Sequence, residues 1–97
     1  MAITSLLDIH LRPDAPADAE TRVSSVLSQT RARPGLLSVD VVRDVDDPRH
    51  LIVIEVWDSL DADTAYRAWR ATPEGANELR ELAGGRVTLT RCEPTTI

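Results

Sequence analysis

Hydrophobic positions along the chain switch between two periods. In AITSLLDIHL, Leu7, Ile9 and Leu11 point one way and Leu6, Asp8 and His10 the other, the alternation of a half-buried strand. RPDAPAD is a turn, with Asp14 as an N-cap beside prolines. From about residue 17 to residue 33, Ala19, Val23, Val26, Leu27 and Thr30 fall on one helical stripe. Pro34 and Gly35 stop that helix. Alternation resumes in LLSVDVV, where Leu37, Val39 and Val41 share a face opposite Leu36, Ser38, Asp40 and Val42. RDVDDPRH reads as a polar turn. LIVIEVW is a third strand, with Ile52, Ile54 and Val56 as its core-facing stripe and Leu51, Val53, Glu55 and Trp57 opposite. Asp58 or Ser59 caps a second helix carrying Ala62, Ala65, Tyr66 and Trp69. Thr72 followed by Pro73 opens a short third helix with Ala76, Leu79, Leu82 and Ala83, ended by Gly84 and Gly85. RVTLTRCE is the fourth strand, Val87 and Leu89 against Thr88, Thr90 and Cys92. The order β-α-β-β-α(α)-β predicts an α+β fold of ferredoxin-like type, with one four-stranded antiparallel sheet in a single domain over residues 1–97.

One face of every strand is apolar and is expected under the helices. The other is mixed: Asp8, Asp40, Glu55 and His10 lie among Leu6, Val42, Leu51, Val53 and Trp57. Such a face is either wet, as antiparallel sheets often are on one side, or covered by the same face of a second copy. Trp57 and the aliphatics favour cover, and a short chain has reason to gain burial by pairing. A homodimer through this face is expected, with Glu55 partnered by His10 or an arginine.

Charge narrows the partners. The formal net charge is −5, and the 11 basic residues are all arginine; an acidic surface argues against nucleic acid and anionic membranes. The lone Cys92 permits no intrachain disulfide and reads as a packed thiol, and no secretion signal is visible, so the expectation is a cytoplasmic protein. There is no Gly-rich phosphate loop, zinc spacing or serine elbow. Asp44, Asp46 and Asp47 are followed by Pro48 and Arg49, which reads as a turn and not a metal loop. No metal and no cofactor are expected.

RARPGLLSVDVVRDVDDPRHLIVIEVWDS resembles the centre of antibiotic biosynthesis monooxygenase (ABM) domains, and AYRAWRATPEGANELREL resembles the helical segment of their anthrone-oxidising members. The resemblance runs from about Ile3 to Glu93. It implies a dimeric α+β barrel with a ligand cavity in each protomer, between sheet and helices. It also implies a cofactor-independent monooxygenase that oxidises a phenolic or anthrone-like, polyketide-type aromatic to a quinone with O2. Trp57 matches the strand-end tryptophan thought to line that cavity. Tyr66 and Arg80 match a tyrosine and an arginine proposed to contact substrate. Val53 stands where the anthrone-oxidising members have an asparagine, and Val42 where they have a histidine. His10 and His50 lie outside the helices, unlike the helical haem ligand of the haem-degrading members.

The candidate catalytic residues are therefore His10, Tyr66 and Arg80, and the candidate substrate-binding residues are Trp57, Val53, Val42 and Glu55. His10 is a base on chemical grounds, because it shares a strand face with Asp8, or else a hydrogen-bonded interface histidine. Trp57 is a cavity wall or a packing residue. Tyr66 lines a pocket or packs with Trp69. Arg80 contacts substrate or pairs on the surface with Glu74 or Glu78. Two other functions use the same residues: a polyketide cyclase or isomerase, and a non-catalytic ligand-binding dimer.

Overall fold

The computed structural model describes all residues, 1–97. The chain runs β1 (Ile3–His10), α1 (Ala19–Arg31), β2 (Leu36–Asp44), β3 (Asp47–Trp57), α2 (Leu60–Arg70), a 3-10 turn (Pro73–Gly75), α3 (Leu79–Leu82) and β4 (Val87–Cys92). The strands form one sheet in the order β2-β3-β1-β4, every neighbouring pair antiparallel. This is the expected ferredoxin-like arrangement.

The helices start and stop for local reasons. Ser59 caps α2 by accepting from the Ala62 amide at 3.1 Å, and Thr72 caps the 3-10 turn through the Gly75 amide at 3.3 Å. The α1 helix begins at Ala19 with Asp18, not Asp14, at its N-cap position, and Asp18 makes no side-chain cap; its carboxylate instead pairs with Arg22 at 3.0 Å. Gly35 adopts φ 85° and passes so close to Ala62 that a Cβ would sit 2.5 Å from the Ala62 Cβ, so only glycine joins α1 to β2 here.

The α1 stripe is buried throughout at Ala19, Val23, Val26, Leu27 and Thr30. It packs on Ile9, Leu51 and Val53 of the sheet, with Leu79, Leu82 and Ala83 completing the cluster. Three strand expectations are corrected. The β2–β3 turn is only Val45 and Asp46, so Pro48, Arg49 and His50 belong to β3. In β2 the register shifts between Leu36 and Ser38, which leaves Leu37 62% exposed while Leu36 packs against the core. In β3 the phase is opposite to the one read from the sequence. Ile9 pairs with Leu51, Leu7 with Val53, Ser5 with Glu55 and Ile3 with Trp57, and partners across a ladder share a face. Leu51, Val53, Glu55 and Trp57 therefore lie under the helices, and Ile52, Ile54 and Val56 lie on the open face.

Candidate functional site

The largest cleft, about 520 Å³, opens between α2, the segment from Ala76 to Arg80, and the β1 and β4 edge of the sheet. Leu7, Val87 and Leu89 supply its sheet side, Leu79 and Ala76 one wall, and Tyr66, Arg67 and Arg70 the α2 wall; Asn77 and Arg80 complete the lining. Alternation along β1 and β4 presents these aliphatics on the helix-facing side, through the pairs Leu7–Leu89 and Ile9–Val87. The helical spacing of residues 66, 67 and 70 brings their side chains to the same place. Three arginines line the cleft and no carboxylate or histidine does.

Behind the α2 wall are two polar networks. In the first, Arg67 donates to Glu55 Oε1 at 2.5 Å and to Asp63 Oδ1 at 3.1 Å. Trp57 Nε1 donates to the same Glu55 oxygen at 3.1 Å. Arg91 and Ser5 complete the coordination of Asp63, at 3.1 and 3.2 Å. Glu55 and Asp63 are 1% and 0% exposed, so each is a buried carboxyl group whose oxygens are taken up by arginines and by neutral donors. In the second, Arg70 donates through Nε to the Tyr66 hydroxyl at 2.7 Å. Its Nη2 reaches Thr30 Oγ1 at 3.1 Å and the Val26 carbonyl at 3.0 Å. Its Nη1 reaches Gln29 at 2.8 Å and the Gly75 carbonyl at 3.2 Å. Thr30 Oγ1 and the Tyr66 oxygen lie 2.8 Å apart. The Tyr66 ring sits between the others, 4.9 Å from Trp57 and 6.1 Å from Trp69 by centroid, with Arg67 4.8 Å above it.

Of the seven candidate residues, the fold brings Tyr66 and Arg80 together at the cleft. Trp57 is fully buried behind Tyr66 and lines no cleft, so the expectation that it looks into a space away from the helices is corrected. Glu55 lies beside it, and its partner is Arg67, not His10. Val53 is a core residue at 0% exposure, and Val42 stands on the open face at 45%. His10 is also on the open face, separated from the cleft by the thickness of the sheet. It stacks on His50 with centroids 4.1 Å apart. His50 in turn bridges Asp8 at 2.7 Å and Asp44 at 2.9 Å. Those two carboxylates, Asp44 first, hold the His50 imidazole above its ordinary pKa, and the bond to His50 holds the Asp44 carboxyl below its own. The sequence reading missed Arg67, Arg70, Asp63 and Thr30. The i,i+4 pairs Asp63–Arg67 and Tyr66–Arg70 were legible signals for three of them. Thr30 comes from another helix.

The sequence pattern of the antibiotic biosynthesis monooxygenase family matches residues 2–77. The chain belongs to this family. Among the curated proteins, none matches it. Solved structures share the ABM-type fold over nearly the whole chain. Rv0793 from Mycobacterium tuberculosis is 23% identical with a TM-score of 0.78, covering 100% of this chain and 98% of that one. A variant of SnoaB, a cofactor-independent oxygenase from Streptomyces nogalater, is 21% identical with a TM-score of 0.79, covering 99% and 95%. An ABM-family protein from Deinococcus radiodurans is 24% identical with a TM-score of 0.63, covering 100% and 95%. No helix of this ABM chain is long and apolar enough to cross a membrane.

Proposed function

We propose that this ABM-family chain is a cytoplasmic, cofactor-independent monooxygenase that binds a flat phenolic or anthrone-like aromatic in the cleft and oxidises it to a quinone with molecular oxygen. The observation that carries this reading is the cleft itself: an apolar sheet-side floor faced by the Tyr66 ring and rimmed by guanidinium groups. An electron-rich aromatic fits the floor, and cations beside it favour the anion that reacts with oxygen.

The steps balance without a cofactor. The substrate methylene loses a proton, and the carbanion passes one electron to O2. The radical pair recombines into a C–O bond, giving a peroxide on that carbon. Loss of the second C–H proton with cleavage of the O–O bond leaves a carbonyl and releases water. One substrate and one O2 give one quinone and one water. No carboxylate or imidazole lines the cleft, so the guanidinium charge acidifies the substrate and the proton leaves to water at the mouth. His10, on the far side of the sheet, takes no part within one protomer. Tyr66 supplies a rigid ring wall, because its hydroxyl is already engaged by Arg70 and Thr30.

The test is oxygen consumption with an anthrone. Uptake of one O2 per anthrone, with matching growth of quinone absorbance and no added metal or flavin, is the expected result. A rate no higher than spontaneous autoxidation ends the proposal. The absence of a titratable base from the cleft favours, as second reading, a protein that binds such aromatics without turning them over; saturable binding with no oxygen uptake would establish it.

A further inference from the structure

We propose that the open face of the sheet, opposite the helices, is a proton-linked pairing surface: two copies of this chain join through it while His50 is doubly protonated, and they part as that proton is lost. The device is independent of what the cleft binds.

The geometry at the His10 end of the sheet fixes the protonation state. His50 Nε2 lies 2.7 Å from Asp8 Oδ1, and Nδ1 lies 2.9 Å from Asp44 Oδ2. A neutral imidazole has a single N–H, so one of the two contacts would set a lone pair against a carboxylate. Both are hydrogen bonds only when the ring is an imidazolium. His10 lies flat against it, 11° from parallel. The remaining charged groups nearby are engaged or stand apart. The Asp46 amide donates to Asp44 Oδ1 at 2.9 Å, and Asp47 accepts from the Arg49 amide at 3.0 Å. Arg43 turns to Glu20 on the helix side. Asp40 stands further along β2, opposite Ile54. Arg86 follows His10 across the ladder, its carbonyl accepting from the His10 amide at 3.1 Å, and alternation from Val87 sets its side chain toward the open face.

The partner is a second copy because the face is complementary to itself. Across the sheet, one row runs Asp44, His50, His10, Arg86, from acid at the β2 edge to arginine at the β4 edge. A two-fold axis along the strands lays one sheet on another with this row reversed. Asp44 of each copy then meets Arg86 of the other, and Leu6 of each lies over Ile54 of the other, since Leu6 and Ile54 are ladder partners on the two middle strands. With His50 protonated, the carboxylates of Asp8 and Asp44 are balanced by one imidazolium and one guanidinium in each copy. Without the proton, each copy brings an uncompensated negative charge into a surface that water is leaving, which is costly. Pairing therefore favours the protonated ring and raises its pKa further. In the separate chain Asp44, and then Asp8, already hold that pKa above its ordinary value. The sign follows from linkage: the proton's contribution to pairing is complete below the separate chain's pKa and is lost as pH rises through the higher value in the pair.

The experiment is sedimentation velocity of the full chain over a dilution series, at fixed ionic strength, from about pH 6 to about pH 9. The wild-type dimer dissociation constant is expected to rise about tenfold or more across that range, the effect of one linked proton over one pH unit. His50→Gln carries one amide and one carbonyl in place of two donors, so it should show the weaker constant at every pH. Asp61→Asn, which changes the net charge by the same amount on α2, should keep the wild-type slope. A second readout needs no substitution: the NMR titration midpoint of the His50 ring should move up as protein concentration drives pairing. A dimer whose constant is flat in pH overturns the device, as does a slope that survives in His50→Gln. A His50 midpoint that ignores concentration while dimer forms overturns it too. A wild-type monomer at every pH overturns the pairing surface and the device together and leaves the cleft reading untouched.

Discussion

Trp57 and Glu55 show how far one position's neighbours decide its role. The indole is enclosed between the sheet and Tyr66, and its N–H has Glu55 as acceptor. A side chain so placed contributes packing and not ligand contact. Trp57→Leu is expected to cost about 2–4 kcal/mol, in the range of large-to-small core changes, read by urea unfolding. A loss below about 1 kcal/mol would contradict the burial seen here. Glu55→Gln keeps the volume but removes the charge facing Arg67 at 2.5 Å. Asp63 still neutralises that arginine, so the expected loss is smaller, about 1–3 kcal/mol. Thermal unfolding at neutral pH checks it, and an unchanged melting temperature would mean the pair adds nothing.

At the scale of elements, the β2–β3 hairpin is tied to β1 by His50, whose ring joins Asp44 and Asp8. Both linked shifts have a defined sign. The His50 pKa is raised on folding, so its contribution is complete below the unfolded value of about 6.5 and is lost as pH rises through the higher folded value. The Asp44 pKa is lowered, so its contribution is present above the unfolded value of about 3.9 and is lost as pH falls through the lower folded one. The stability gap between wild type and His50→Gln should therefore be widest between about pH 4 and 6.5 and narrow on either side. A gap that widens steadily from pH 6 to 9 would refute the clamp. The α2 C-terminus shows a steric tie instead. Gly75 is buried, and a Cβ there would meet the Trp69 carbonyl oxygen and the Arg70 Cα at 2.7 Å. Both neighbours are backbone and cannot move aside. Gly75→Ala should cost about 1–3 kcal/mol as overpacking does, and should loosen the Ala76–Arg80 wall of the cleft. Hydrogen exchange at the Gly75 and Ala76 amides, faster in the variant and unchanged in β1, would report it.

For the whole molecule, the open face carries Leu6, Ile52, Ile54 and Val56, all partly accessible in the single chain, with Val42 beside them at 45% exposure. This aliphatic centre is ringed by Asp8, Asp40, His10 and His50. Contiguous apolar surface on a small domain marks an interaction site, and we propose a homodimer that pairs this face with itself. Glu55, expected at that interface, is instead behind the opposite face. Ile54→Asp places a charge at the centre of the patch. It should convert a dimer into a monomer in sedimentation at micromolar concentration; a wild-type monomer at the same concentration would end the proposal.

Local rules were enough for much of this chain. Period 3.6 located the buried stripe of α1, Asp58 and Ser59 announced the start of α2 with Ser59 as its cap, and alternation gave the correct faces of β1. Thr72 announced a cap, but of a 3-10 turn that ends at Gly75 and not of the helix with Leu79 and Leu82, which starts separately after Glu78. These signals are carried by residues a few positions apart, whose geometry the backbone fixes. The phase of β3 was beyond such rules. Leu51 and Val53 on one side and Ile52, Ile54 and Val56 on the other are equally apolar, so alternation holds in either phase. The hydrogen-bond register with β1, set by Ile9 opposite Leu51, chose between them and carried Trp57 and Glu55 under the helices. The pairs Thr30–Tyr66 and His10–His50 depend on chain segments far apart in sequence. The cleft shares that dependence: Tyr66 and Arg80 were legible as candidates, but the aliphatic floor they meet, Leu7, Val87 and Leu89, is brought to them only by the pairing of β1 with β4.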